Sequence, residues 1–94
     1  MNNLLPLIIS RHVGTVAWLA TRGITGEVVA HATPEQVRGR IVVGVLPLSL
    51  ASLAAEVWSV DLPSLPQELR GQELDLVQMA QAGACLQKYK VERL

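Results

Sequence analysis

The sequence contains a single cysteine, Cys85, and it has no phenylalanine among its 94 residues. One thiol excludes an intramolecular disulfide and any zinc site that is built on cysteines. We expect Cys85 to be a free thiol that is buried on a helix, because free cysteine usually packs as a small hydrophobic residue.

No long hydrophobic run is present either. Residues 4–9 are apolar, but the run is short and is interrupted by Pro6, and residues 1–3 carry no basic side chain. This pattern fits neither a membrane helix nor a signal peptide. The sequence therefore predicts a cytoplasmic protein without a membrane partner.

Neither sign of charge dominates, because eight Lys and Arg balance eight Asp and Glu. Binding to long nucleic acid requires a basic stripe, so we do not expect it. A small anionic ligand that is held by two or three local cations is still compatible with this balance. Six of the eight cations are arginines, whose planar side chains bind phosphate in a fixed geometry.

Several catalytic motifs are missing. The chain has no glycine-rich phosphate loop and no Gly-x-Ser-x-Gly turn, and its two histidines have no carboxylate cluster close to them in sequence. We therefore expect no metal site and no cofactor. The acids Glu68, Glu73 and Asp75 are expected to lie near the start of a helix, where their negative charge stabilises the positive end of the helix dipole.

The pattern of hydrophobic residues predicts one α/β domain over residues 1–94. The expected strands cover residues 4–10, 27–31, 40–45 and 58–62, and the expected helices cover residues 15–22, 33–37, 48–57 and 72–89. In this scheme Thr15 caps the first helix, Gly23 ends it, and Gly83 lies inside the last helix. Residues 64–71 are expected to form a loop and residues 88–94 a tail. An extended conformation of residues 89–91 is an alternative within that tail.

Alternation of strands and helices predicts a small Rossmann-like three-layer domain, with a mainly parallel four-stranded sheet and helices on both faces. Half of the residues are hydrophobic, which is more than a chain of this size hides easily. We therefore expect a homodimer.

Ligands bind beyond the carboxyl ends of the strands in such sheets. Arg11 and His12 follow the first strand, directly before a glycine-containing turn that opens a helix, where free N–H groups favour an anion. Arginine adds a bidentate phosphate contact, and histidine exchanges a proton near neutral pH. The alternative is that both are solvated loop residues.

Further ligand-binding candidates lie at the same predicted edge of the sheet. For most of them a second, structural role is the alternative. Ser10 contacts a phosphate or caps the next turn. His31 lines the cleft or is satisfied by the backbone, and Ser49 contacts a phosphate or is an ordinary surface hydroxyl. The remaining ligand-binding candidates in the turns are Gly14, Thr15, Gly44, Leu46 and Pro47.

Five segments resemble a family of small proteins that are encoded beside type III CRISPR systems. They are residues 9–14 (Ile-Ser-Arg-His-Val-Gly), 43–48 (Val-Gly-Val-Leu-Pro-Leu), 65–74 (Leu-Pro-Gln-Glu-Leu-Arg-Gly-Gln-Glu-Leu), 83–84 (Gly-Ala) and 89–93 (Tyr-Lys-Val-Glu-Arg). That family has a minimal domain related to the CRISPR-associated Rossmann fold (CARF) and is grouped with the standalone ring nucleases. The chain departs from it at Thr15, where alanine is expected, and at Ser49, where relatives often carry histidine.

The resemblance implies a dimer that binds cyclic tetra-adenylate across its two-fold axis and opens it, which switches off type III signalling. We expect metal-independent attack by a ribose 2′-hydroxyl, with Arg11 stabilising charge and His12 protonating the leaving oxygen or positioning the sugar. Arg70 closes over the ligand or braces its loop. One alternative is a protein that binds the ring without cutting it, and another is a module that docks a further CRISPR component and gains no thermal stability from nucleotide.

Overall fold

The structure is a computed structural model that describes residues 5–94. Its five strands are β1 (Leu7–Ile9), β2 (Glu27–Val29), β3 (Ile41–Val43), β4 (Glu56–Asp61) and β5 (Cys85–Tyr89). Its helices are α1 (Val13–Thr21), α2 (Pro34–Val37), α3 (Leu48–Ala51) and α4 (Leu76–Gln81), together with a short 3₁₀ helix at Gln67–Leu69. The predictions that concern residues 1–4 lie outside the described residues.

The strands form one sheet in the order β2-β1-β3-β4-β5. Strands β1 to β4 are parallel, and β5 pairs antiparallel with β4 at the edge. The predicted Rossmann-like α/β fold is therefore confirmed, although the sheet has five strands rather than four.

Helices cover both faces of this sheet because neighbouring strand residues point to opposite sides. Leu7, Val42 and Val57 face α2 and α3, where they pack with Val37, Ala51 and Ala54. Ile8 and Val43 face α1 and α4, where they pack with Trp18, Leu19 and Met79. Two apolar layers thus hold the helices against a sheet whose central strands are buried on both sides.

The prediction of one long helix over residues 72–89 is wrong. Helix α4 begins at its capping residue Asp75, whose side chain accepts a hydrogen bond from the Gln78 N–H, and it ends after Gln81. Gly83 then adopts a positive φ of 76°, and the Gly83 and Ala84 N–H groups bond to carbonyls of the last turn. Glycine after a helix commonly makes this type of end. The chain therefore leaves α4 into β5, and Cys85 is a half-buried strand residue rather than a helical one.

Two other helices also differ in their bounds from the prediction, and the strands are shorter than predicted or, for β4, begin two residues earlier. The helix expected over residues 48–57 stops at Ala51, because Ala55 N–H donates to the Arg40 carbonyl at 2.8 Å and draws the chain into β4. Helix α1 begins at Val13, two residues early, with His12 in the capping position. Thr15 is therefore a residue of the first turn and not the cap. Gly23 ends α1 as predicted, with a φ of 76°.

The substitution Gly83→Ala tests the corrected helix end. At a positive φ, alanine is expected to cost about 1–2 kcal/mol of stability, whereas inside a helix it would raise stability by about 1 kcal/mol. Gly23→Ala is the matched control, because Gly23 has the same φ at the end of α1. Urea unfolding of both variants measures the effect, and a Gly83→Ala protein more stable than the wild type would contradict the strand assignment.

No helix among residues 5–94 has both the length and the apolarity that crossing a bilayer requires.

Candidate functional site

A cavity of about 330 Å³ opens at the carboxyl ends of the four parallel strands. Strand β1 lies between β2 and β3, so the chain connections leave β1 and β3 in opposite directions along the sheet. Ligands in open α/β sheets bind at such a switch point. The lining includes Ser10 and Arg11 after β1, Ala30 after β2, Gly44 after β3, and Val60 within β4.

Gly44 allows the ends of β1 and β3 to approach closely. Its φ is 142°, and a Cβ at this position would lie 2.6 Å from the Ile9 carbonyl oxygen. A larger residue would therefore be strained and would push the two strand ends apart. Gly44, which the sequence nominated as a ligand-binding residue, lines the cavity through its backbone.

Ser10 braces the turn that presents Arg11 and His12. The His12 N–H donates to Ser10 Oγ at 3.0 Å, and the Ser10 hydroxyl donates to the His12 carbonyl at 3.3 Å. A serine that bonds two residues ahead stabilises a tight turn. Of the two roles that the sequence left open for Ser10, the structure contains the turn contact.

Arg11 contacts His31 across the cavity edge. Arg11 Nη2 lies 2.7 Å from His31 Nε2. Because arginine only donates hydrogen bonds, His31 Nε2 must accept with its lone pair, which puts the ring proton of a neutral His31 on Nδ1. Two candidates that are 20 residues apart in sequence are thus joined at the ends of neighbouring strands.

His12 contacts Glu73, for which the sequence predicted only an interaction with a helix dipole. His12 Nδ1 lies 2.7 Å from Glu73 Oε2, and both side chains are more than half exposed. The carboxylate accepts from Nδ1–H, so His12 Nε2 is left unbonded beside the cavity that the residue lines. The contact between His12 and Glu73 could not be recognised from the sequence, because the two residues are 61 positions apart. Glu73 does lie within the 65–74 segment that carries the resemblance.

The first turn of α1 adds backbone donors to the same edge. The first N–H groups of a helix have no partner within it, and α1 is nine residues long. Thr15 lines the cavity from this turn. Gly14 does not line it, and instead lies where a Cβ would collide with the Leu74 carbonyl. Its role in the structure is close packing of α1 against the segment that carries Glu73.

Replacing Gly14 with alanine is expected to destabilise the protein. In an open helix the change would add up to about 1 kcal/mol of stability, but the collision with Leu74 reverses the sign and costs about 1–3 kcal/mol. Ala20→Gly, at an exposed position of the same helix, controls for helix propensity. Urea unfolding measures both, and a stabilised Gly14→Ala protein would show that the contact with Leu74 is absent.

Besides Gly14 and His31, four candidates lie outside the lining of this cavity. Leu46 packs against the core on the α2–α3 face, Pro47 precedes α3, and Ser49 faces a groove beside the C-terminal tail. Arg70 is exposed after the 3₁₀ helix. Its neighbours Leu69 and Gly71 line a smaller adjoining cavity of about 180 Å³ that also contains His12.

Within residues 5–94, no group of three or more His, Cys, Asp and Glu residues could hold a metal ion. The arrangement offers a guanidinium, two imidazoles, a carboxylate and free backbone N–H groups around an apolar cavity. Side chains and N–H groups of these types are the ones that anion binding and proton transfer use in other proteins.

Fold and site together define a small Rossmann-like domain with a candidate ligand cavity at its switch point. The family model described as "Putative CRISPR-associated protein (Cas_VVA1548)" matches residues 7–92. The chain therefore belongs to this family of CRISPR-associated proteins. No curated protein and no solved structure matches the chain.

Proposed function

We propose that this protein is a metal-independent ring nuclease with a CARF-like domain, which opens cyclic tetra-adenylate and so switches off type III CRISPR signalling. The observation that carries the proposal is the position of Arg11 and His12 at the mouth of the switch-point cavity, with His12 held by Glu73. Membership of a CRISPR-associated family and the resemblance of residues 9–14 support the choice of substrate.

The reaction needs no activated water. A ribose 2′-hydroxyl attacks its own 3′-phosphate and gives a 2′,3′-cyclic phosphate and a 5′-hydroxyl. The protein must hold the hydroxyl in line with the leaving oxygen and stabilise the charge that develops on the phosphate. Arg11 and the free N–H groups of α1 supply that stabilisation, and His12 Nε2 is available for proton transfer.

The ring requires two protomers. A cavity of about 330 Å³ is at the small end of the range for ligand pockets, which is about 300–1,000 Å³. One protomer therefore encloses only part of a ring of four nucleotides. A two-fold dimer presents the same site to each half of the ring, and the exposed Val13 and Val45 near the cavity mouth supply apolar surface for a dimer contact.

We expect one ring to bind per two protomers. The ring with 2′-fluoro groups in place of the hydroxyls lacks the nucleophile, so it allows binding to be measured without cleavage. Native mass spectrometry and calorimetric titration give the stoichiometry. A complex of one ring with one protomer, or two rings with a dimer, would contradict the shared site.

A protein that binds the ring without cutting it is the second candidate. The observation that favours it is the apolar character of the cavity, where Ser10, Arg11, His12 and Thr15 are the lining residues with polar side chains. Apolar walls suit burial of an adenine base whether or not cleavage follows. Analysis of the products after incubation with the natural ring separates the two candidates.

A further inference from the structure

The chain contains two histidines, and each is hydrogen-bonded beside the cavity to a partner of different chemistry. His31 Nε2 lies against the guanidinium of Arg11, and His12 Nδ1 lies against the carboxylate of Glu73, both at 2.7 Å. Hydrogen-bond partners of different chemistry suit two histidines to different roles in acid–base catalysis.

His31 accepts a hydrogen bond through Nε2. Arginine has no acceptor, so the contact with Arg11 exists only while His31 Nε2 carries a lone pair. Protonation of His31 would place two donors and two positive charges face to face, and the hydrogen bond would be lost. A neutral imidazole with its lone pair on Nε2 is what proton abstraction from a hydroxyl requires.

His12 donates a hydrogen bond to Glu73 through Nδ1. Glu73 accepts from Nδ1–H in both the neutral and the protonated ring, so the hydrogen bond survives protonation of Nε2. The negative carboxylate also faces the positive charge that the protonated ring carries. Nε2 is therefore the nitrogen that can bring a proton to a leaving oxygen. The side chain is 58% exposed, so water can restore that proton after each turnover.

From these contacts we propose that His31 is the general base and His12 the general acid of the ring-opening reaction. This assignment rests on the proposed function. Phosphate draws Arg11 from His31 and thereby frees the Nε2 lone pair. The O2′–P bond then forms as the 2′-hydroxyl proton moves to His31 Nε2, and the P–O5′ bond breaks as the proton of His12 Nε2 moves to O5′. His31 ends protonated and His12 neutral, and exchange of one proton each with water resets the pair.

A ring that carries sulfur in place of the bridging 5′ oxygen at one linkage tests the acid. A thiolate leaves without being protonated, so the sulfur ring does not need the acid. We expect His12→Ala to lose about 10²–10⁴-fold in rate on the ordinary ring and to recover to within about tenfold of the wild type at the sulfur linkage. His31→Ala is expected to be slow on both rings.

His31→Gln separates a base from a residue that only holds Arg11. Glutamine Oε1 accepts the hydrogen bond from Arg11 but takes no proton. We expect His31→Gln to be as slow as His31→Ala on both rings. Near-normal activity of His31→Gln would overturn the base and leave His31 as a positioning residue for Arg11. Because His31 and His12 are exposed, unchanged melting temperatures are expected to show that the variants fold.

The pH dependence of kcat/KM gives a second readout. The wild type is expected to give a bell-shaped profile, because the base must be neutral and the acid protonated. His31→Ala is expected to lose the fall in rate at low pH, and His12→Ala the fall at high pH. The guanidinium of Arg11 lies against the His31 ring, and the carboxylate of Glu73 lies against the His12 ring.

Different results would overturn the proposed function and the assignment of the acid and the base. A wild-type protein that opens neither ring would overturn the proposed function and this assignment with it. A wild type that opens both rings, while sulfur rescues His31→Ala or fails to rescue His12→Ala, would overturn the assignment of acid and base alone.

Discussion

Replacing Arg11 with alanine is expected to slow the opening of cyclic tetra-adenylate by about 10²–10³-fold under single-turnover conditions, which is the usual cost of removing one donor from a developing oxyanion. Arg11 supplies the guanidinium at the cavity edge, and neutral Ser10 and Thr15 cannot replace its charge. Single-turnover measurement with excess protein isolates the chemical step from product release.

Two further variants sharpen this test. Arg11→Lys keeps the charge but loses the planar fork, so an intermediate rate is expected. Arg38→Ala is the matched control, because Arg38 is exposed and pairs with Glu35 rather than with a residue of the cavity. A rate for Arg11→Ala that equals the Arg38→Ala rate would remove Arg11 from the mechanism.

Replacing His12 with alanine is expected to slow the same step by about 10²–10⁴-fold. Glu73→Ala is expected to have a smaller effect, because Glu73 orients His12 and does not touch the reacting atoms. The double variant is expected to be no slower than His12→Ala, since a residue that acts only through His12 has no effect once His12 is gone.

Glu68→Ala is the control for this pair. Glu68 is an exposed acid of the 3₁₀ helix and lines neither of the two cavities beside His12, so a normal rate is expected. Additive losses in the double variant would contradict the proposal that Glu73 works through His12. A ¹⁵N spectrum of the imidazoles would report the change in the His12 tautomer in Glu73→Ala independently of activity.

The central strands β1 and β3 could be predicted from the sequence because strands that are buried on both faces are continuous apolar runs. Residues 41–43 are apolar and β-branched, and they form β3. Strand β5 could not be predicted in this way. It is an edge strand whose residues 87–89 are exposed, so it shows no apolar run that marks it as a strand.

Two glycines show how the same local signal can be read in opposite ways. Gly23 and Gly83 both follow a helix at a φ of 76°. Gly23 is followed by a clear strand, so its role as a helix end was predicted. Gly83 is followed by Ala84 and Leu86, which continue a plausible apolar helix stripe, and tertiary pairing of β5 with β4 decided the outcome.

Part of the site could be predicted from topology alone. Ser10, Arg11, His12, Thr15 and Gly44 follow or adjoin strand ends, and the structure brings them to one cavity. Glu73 could not be placed, because its contact with His12 spans 61 residues and depends on how α4 packs against α1. Leu46, Pro47 and Ser49 were expected at the same edge, but the chain after β3 turns towards the α2–α3 face, where Leu46 packs.

Incubation of the purified protein with cyclic tetra-adenylate in EDTA, followed by chromatography and mass analysis of the products, tests the central claim most directly. The account predicts linear products that end in a 2′,3′-cyclic phosphate and a 5′-hydroxyl, with no dependence on added metal. An intact ring, even with clear thermal stabilisation of the protein, would contradict the nuclease and leave a protein that binds the ring without opening it.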